Sequence, residues 1–195
     1  MVDRPAAPPP RRPLRADAAR NVQALVTAAK ELFAEQGSDI PLDDVARRAG
    51  VGNATLYRYF PTRADLIVAV YADEVADLCM DGALLRAAEA PGEALFVWLD
   101  KFVVHVATKR ALALAGTENS GERRTELFDT WHNAMRTVAT DLYDQACQAG
   151  TVTPQVSVEE LLAMASAAAL AGNSAQQARR LFTMMWFGVA RDAAT

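Results

Sequence analysis

With 195 residues, 51% of them hydrophobic, the chain can form one or two small domains with a sizeable core, and no apolar run nears the ~20 residues that cross a bilayer. The formal net charge of −4 taken alone argues against a polyanion partner, but ten Lys or Arg face seven Asp or Glu from Met1 to Arg63, giving +3, and ten face seventeen from Ala64 to Thr195, giving −7. A basic end and an acidic body imply that only the first part meets a polyanion.

Residues 1–14, MVDRPAAPPPRRPL, carry five prolines and no apolar core of a secretory signal. Such proline density forbids helix, so an extended arm is expected. Arg11, Arg12 and Arg15 make it basic. It is either an arm that touches phosphate or minor groove, or a leader with incidental charge.

Beyond the arm the periodicity is helical throughout. Val22, Leu25, Val26, Ala29, Leu32 and Phe33 share one face of a first helix, with Asp17 as its cap and Gly37 as its stop. A short second helix spans Pro41 to Ala49, with Asp43 and Asp44 at its positive end and Gly50 after it. Val51 and Gly52 make a turn, a third helix runs from Asn53 to about Phe60, and Pro61 breaks it. Thr62 then caps a fourth helix, with Asp65 three residues on. Pro91 and Gly92 precede a helix from about Glu93 to Lys109. A long helix from about Glu122 to Ala149 repeats Leu127, Trp131, Met135, Val138 and Leu142 on one face and ends at Gly150. Ser157 with Glu160, and Ser174 with Gln177, are capping boxes that open the last two helices. The expected fold is all-α with about nine helices.

An enzyme needs a nucleophile, an acid–base pair, a metal cage or a phosphate loop. The sequence holds no G-x-S-x-G, no H-E-x-x-H and no Gly-rich phosphate loop. Its two histidines, His105 and His132, are too few for a helix-bundle metal site. Cys79 and Cys147 stand far apart and read as buried hydrophobes in a reducing cytosol. No catalytic residue, metal or cofactor is expected, and the protein is expected in the cytoplasm.

Leu42 to Arg63 packs two short helices around a Gly-containing turn. Two such helices bury too little alone, so they must lean on the first and fourth, which turns the third outward toward a major groove. Asn53 can read base edges, Ala54 and the Thr55 methyl can meet a thymine methyl, and the Thr55 hydroxyl can bond base or phosphate. Tyr57, Arg58, Tyr59 and then Arg63 suit phosphate contacts. The same pattern also fits an ordinary bundle, with Tyr57 and Phe60 as core.

Residues 41–66, PLDDVARRAGVGNATLYRYFPTRADL, resemble the signature of the TetR family of bacterial transcriptional regulators. The resemblance lies in Val45–Ala46, Ala49–Gly50–Val51, Thr55–Leu56–Tyr57, Phe60 and Arg63, and in the preceding Leu32–Gly37 ending. Two departures stand out. Pro41 replaces the family's usual Thr or Ser, so a phosphate contact is lost or passes to a group such as Arg47 or Arg48. Gly52 and Asn53 replace the common Ser and Lys, so base preference cannot be carried over.

The resemblance implies a helix-turn-helix domain over residues 15–63 and a helical effector-binding and dimerisation domain over residues 64–195. It also implies a homodimer on palindromic double-stranded DNA, and repression relieved by an unknown small-molecule effector. Leu181, Phe182, Met184, Met185, Trp186 and Phe187 make the last helix apolar almost all round, and the helix before it is alanine-rich. Such a helix is either buried in its own subunit or covered by a partner. The expected interface is Leu161, Ala165, Ala168, Leu181, Met185 and Trp186. For the effector, Trp98, Phe102, His105, Phe128, Trp131, Met135 and Tyr143 would line an apolar cavity, although each singly also reads as core. The alternative function is an all-α ligand-binding or interaction module that has lost DNA binding.

Overall fold

The computed structural model describes residues 14–36, 39–117 and 122–190; the proline-rich arm, with Arg11 and Arg12, lies outside them. Among the described residues there are eight α-helices and no strand. They are α1 (Leu14–Gln36), α2 (Leu42–Ala49), α3 (Asn53–Tyr59), α4 (Arg63–Ala88), α5 (Pro91–Thr117), α6 (Glu122–Gln148), α7 (Val158–Ala171) and α8 (Ala175–Ala190). Eight stand against the nine or so expected, and some boundaries move: Asp17 lies inside the first turn of α1 instead of capping it, α5 begins at Pro91, where proline's missing N–H costs nothing, and α5 runs on to Thr117, past the end expected near Lys109. No described helix is long and apolar enough to cross a membrane.

The chain divides into two compact units, the first ending at Leu66 and the second beginning at Ile67, inside α4. In the first unit, the core draws Leu25, Val26, Ala28, Ala29, Leu32 and Phe33 from α1, Val45 and Ala46 from α2, and Leu56 from α3. Fully burying a side chain such as Leu56 contributes about 1.5–3 kcal/mol. Gly50 shapes the bend between α2 and α3. It sits at φ 68°, its N–H bonds Arg47 O at 3.2 Å, and the Val51 N–H bonds Ala46 O at 3.0 Å. This pair of bonds satisfies the last carbonyls of α2 and requires the left-handed conformation that glycine tolerates best. Thr62 and Asp65 close the start of α4: the Thr62 N–H donates to Asp65 Oδ2 at 3.0 Å, and the Asp65 N–H donates to Thr62 Oγ1 at 3.2 Å.

In the second unit α5 is central and packs on α6, α7 and α8. Trp98, Leu95, Leu99 and Val103 of α5, Leu142 of α6, Leu161 and Ala165 of α7, and Phe182 of α8 are buried in one core with Tyr71, Val75 and Leu78 of α4. Phe96 stacks on Phe182 with ring centroids 5.9 Å apart. Surface ion pairs tie the same helices: Lys101 to Asp81 at 2.7 Å and Arg179 to the half-shielded Asp100 at 2.6 Å. Ser157 and Glu160 form a complete capping box on α7. At α8 the Gln177 N–H donates to Ser174 Oγ, while the Gln177 side chain accepts from the Asn173 N–H, one residue beyond the expected reciprocal bond to Ser174. Cys79 and Cys147 are free and half-buried, more accessible than the buried hydrophobes expected.

Candidate nucleic-acid interface

Helix α3 has one apolar side and one polar side. Leu56 is fully buried, and Phe60 just past the helix is 6% exposed. Asn53, Ala54, Tyr57 and Arg58 are exposed, while Thr55 and Tyr59 are half-buried. Tyr57 and Phe60, which could both have been core, therefore part company: Phe60 anchors the helix and Tyr57 faces water. Seven residues make two turns, so the outward groups of the first turn lie at the tip, where base edges are reached in a groove-docked helix.

The basic groups nearby are not bare. Arg47 Nη2 meets Asp44 Oδ1 at 2.6 Å, one helical turn back. Arg48 forks onto Glu35 of α1, Nη1 to Oε1 at 3.1 Å and Nη2 to Oε2 at 3.0 Å, and also reaches Glu31 at 3.2 Å. That fork holds the Glu35 carboxyl below its usual range and raises the Arg48 guanidinium, each chiefly through their mutual hydrogen bonds. Arg48 thus fastens α2 to α1, in place of standing ready for phosphate. The Tyr57 hydroxyl donates to Asp43 Oδ1 at 3.4 Å. Arg58 lies over the Tyr59 ring, 4.9 Å from its centroid, and donates to the Tyr59 hydroxyl at 3.2 Å. Arg63 is half-buried with Nη1 3.6 Å from Asp39 Oδ1. The carboxylate partners were not read from the sequence. Asp44 to Arg47 has helical spacing and was legible; Glu35 to Arg48 crosses between helices and carries no local signal.

In the second unit the seven residues expected around a cavity separate into groups. His105, Phe128 and Trp131 gather about Tyr71 of α4, with ring centroids 5.2, 5.5 and 5.1 Å from the Tyr71 ring. His105 is 8% exposed, and its Nδ1 lies 3.9 Å from Glu74 Oε2. Burial, and then the charge of Glu74, push the Tyr71 phenol above its ordinary value. Trp98 and Phe102 stack at 5.7 Å and, with Met135, are core. Tyr143 donates its hydroxyl to Val156 O at 2.7 Å, and its pKa is pushed up to about 12, mainly by its hydrogen bond with Cys147. It serves the α6–α7 connection. Nothing local in the sequence marks Tyr71 and Glu74 as part of this cluster, because their partners lie more than thirty residues away.

Four of the six residues expected at a dimer interface are inside their own unit: Leu161, Ala165, Ala168 and Trp186 are buried. Leu181 and Met185 are half-buried. The outward apolar surface consists of other residues on the same two helices, Ala163, Ala167 and Leu170 on α7 and Met184 and Phe187 on α8. Leu170, Met184 and Phe187 are 52%, 64% and 63% exposed, large values for side chains of this kind.

Residues 25–70 match the family model described as bacterial regulatory proteins, tetR family. Residues 90–191 match the C-terminal domain of SbtR-like transcriptional regulators. A TetR transcriptional regulator from Streptomyces coelicolor is 32% identical with a TM-score of 0.73, over 87% of this chain and 98% of that one. A TetR transcription regulatory protein from Mycobacterium vanbaalenii is 34% identical with a TM-score of 0.72, over 91% of this chain and 99% of that one. FadR of Bacillus subtilis, solved in complex with stearoyl-CoA, shares the fold at 14% identity and a TM-score of 0.56, over 84% and 96% of the two chains.

Proposed function

Because this chain belongs to the TetR family of bacterial transcriptional regulators, we propose that it is a cytoplasmic repressor that binds a palindromic operator as a homodimer and is released by a small-molecule effector. Asn53, Ala54 and Thr55 read base edges, and Arg47, Tyr57, Arg58, Tyr59 and Arg63 set the head on phosphates. Arg48 contributes by holding α2 against α1. The observation that carries this reading is the polar side of α3, exposed through Asn53, Ala54, Tyr57 and Arg58 while Leu56 beneath them is fully buried.

A second copy covers the outer faces of α7 and α8, over Ala163, Ala167, Leu170, Met184 and Phe187. A two-fold dimer pairs the same patch on both copies, and a palindromic operator asks for recognition helices roughly 34–36 Å apart. The effector binds in the second unit beside Tyr71, His105, Phe128 and Trp131, where aromatic walls are joined by the imidazole, the phenol and the Glu74 carboxylate. It must favour the non-binding conformation; a coupling of about 1–3 kcal/mol changes DNA affinity about 5–150-fold.

A mobility-shift titration with DNA upstream of the gene tests the assignment. The wild type forms a discrete complex that weakens steeply from 50 to 200 mM salt, by about 10³–10⁵-fold where six to ten phosphates are contacted. A folded Tyr57→Ala, Arg58→Ala variant that shifts the DNA equally well would refute it.

A further inference from the structure

Between Leu14 and Leu66 the sequence carries seven Lys or Arg and seven Asp or Glu, so the helical head has no net charge. This is not what a polyanion-binding unit needs, since affinity for phosphate rises with the number of cations it brings. The balance is also local. Arg47 sits on Asp44 at 2.6 Å, Tyr57 reaches Asp43 at 3.4 Å, and Arg48 is forked onto Glu35 with Glu31 beside it. Asp44 and Asp43 thus accept from Arg47 and Tyr57 the hydrogen bonds that a phosphate would take, while Glu31 and Glu35 engage Arg48 in the α1–α2 fastening.

We propose that Asp43 and Asp44 are internal competitors for DNA phosphate that hold down the sequence-independent affinity of this first unit. The proposal rests on the DNA-binding reading above. A phosphate that takes Arg47 must displace Asp44 and then tolerate its charge nearby. Arg47 is exposed and Asp44 half-buried, and ion pairs this open to water are weak, so the competition lowers affinity without blocking it. Among the described residues no carboxylate is bonded to Asn53 or Thr55, so the base preference stays as it is. A regulator weakened in this way spends less time on the many non-specific sites of a genome.

The test is a double-mutant cycle on the full chain, read by fluorescence anisotropy with a mixed-sequence DNA duplex. Asp44→Asn should tighten binding about two- to fivefold per subunit, the range of an exposed ion pair. It should also steepen the dependence on salt, because Arg47 then releases counterions from DNA. In an Arg47→Ala background the same change should have almost no effect, since the competed group is gone. A second cycle, Asp43→Asn with Tyr57→Phe, follows the same logic should Asp44→Asn disturb the start of α2. Equal tightening with and without Arg47 would overturn the proposal in favour of a general field of negative charge, and no tightening in either cycle would also overturn it. Wild-type protein that binds no duplex even at low salt would bring down the DNA-binding reading itself, a distinguishable outcome.

Discussion

The indole N–H of Trp98 donates to the main-chain carbonyl of Leu78 at 3.0 Å, fastening α5 to α4 inside the second unit. One turn further along α4, Gly82 leaves no room for a side chain: a β-carbon there would overlap Val138 Cγ1 and stand 3.0 Å from Trp98 Nε1. The close approach of α4 to α5 and α6 therefore depends on a missing methyl and a single donor.

Gly82→Ala should lower the stability of this unit by about 1–3 kcal/mol, the cost of overpacking against a stiff β-branched neighbour. Trp98→Phe, which keeps an aromatic ring and removes the donor, should cost about 1 kcal/mol for the bond plus whatever the smaller ring leaves unfilled. Urea melts followed by far-ultraviolet circular dichroism measure both. A Gly82→Ala protein with an unchanged midpoint would mean that α4 and α6 are farther apart than described.

Leu56 should matter to the head more than any of the polar residues around it. Leu56→Ala empties a fully buried position, and the expected loss is about 2–5 kcal/mol. Tyr57→Phe removes an exposed hydroxyl and should leave thermal stability within about 0.5 kcal/mol of wild type. Comparable melting shifts for the two variants would contradict the inward and outward assignment of α3.

Much of this was legible in the sequence, and the parts that were not share a cause. Helix ends were fixed by local chemistry: Gly50 at φ 68° and the Ser157–Glu160 box each act within five residues, whereas Pro91, expected just before α5, is its first residue. On α3 the spacing left Tyr57 and Phe60 open between core and surface; Asn53, Ala54, Tyr57 and Arg58 are exposed, while Thr55 and Tyr59 are half-buried. Partnerships between helices were not legible from spacing. Glu35 with Arg48, and Tyr71 with His105, Phe128 and Trp131, unite positions that no periodicity connects. The same reason explains α7 and α8. A helix apolar all round declares that every side is covered, but it does not say which side its own subunit takes, and here that side is the one through Phe182 and Trp186.

Acid should loosen the fastening of α2 to α1. The Glu35 carboxyl is held below its ordinary range by Arg48 when folded, so its contribution is fully present above the unfolded-state value and disappears as pH falls through the lowered folded value. Glu160, lowered by its hydrogen bonds to Ser157, follows the same sign. Carboxyl titrations by NMR should find both below the usual glutamate range. In an Arg48→Ala protein the Glu35 midpoint should move upward; a midpoint that stays put would show that the pair does not persist in solution.

Charge on the outer face of α8 should separate subunits without unfolding them. Phe187→Glu is expected to give monomers at micromolar concentration in sedimentation velocity, with helicity and melting of the isolated subunit retained. Trp186→Ala, one residue away but buried, should instead cost about 3–5 kcal/mol of subunit stability. A Phe187→Glu protein that still sediments as a dimer would place the interface elsewhere.

The most direct measurement is hydroxyl-radical footprinting of the wild-type protein on its operator. Two symmetric patches of protection should appear, their centres one helical turn or a multiple of about 10–10.5 base pairs apart, and both should vanish together in the Tyr57→Ala, Arg58→Ala variant. A single asymmetric patch, or an unchanged footprint when those side chains are removed, would contradict DNA recognition through the exposed side of α3.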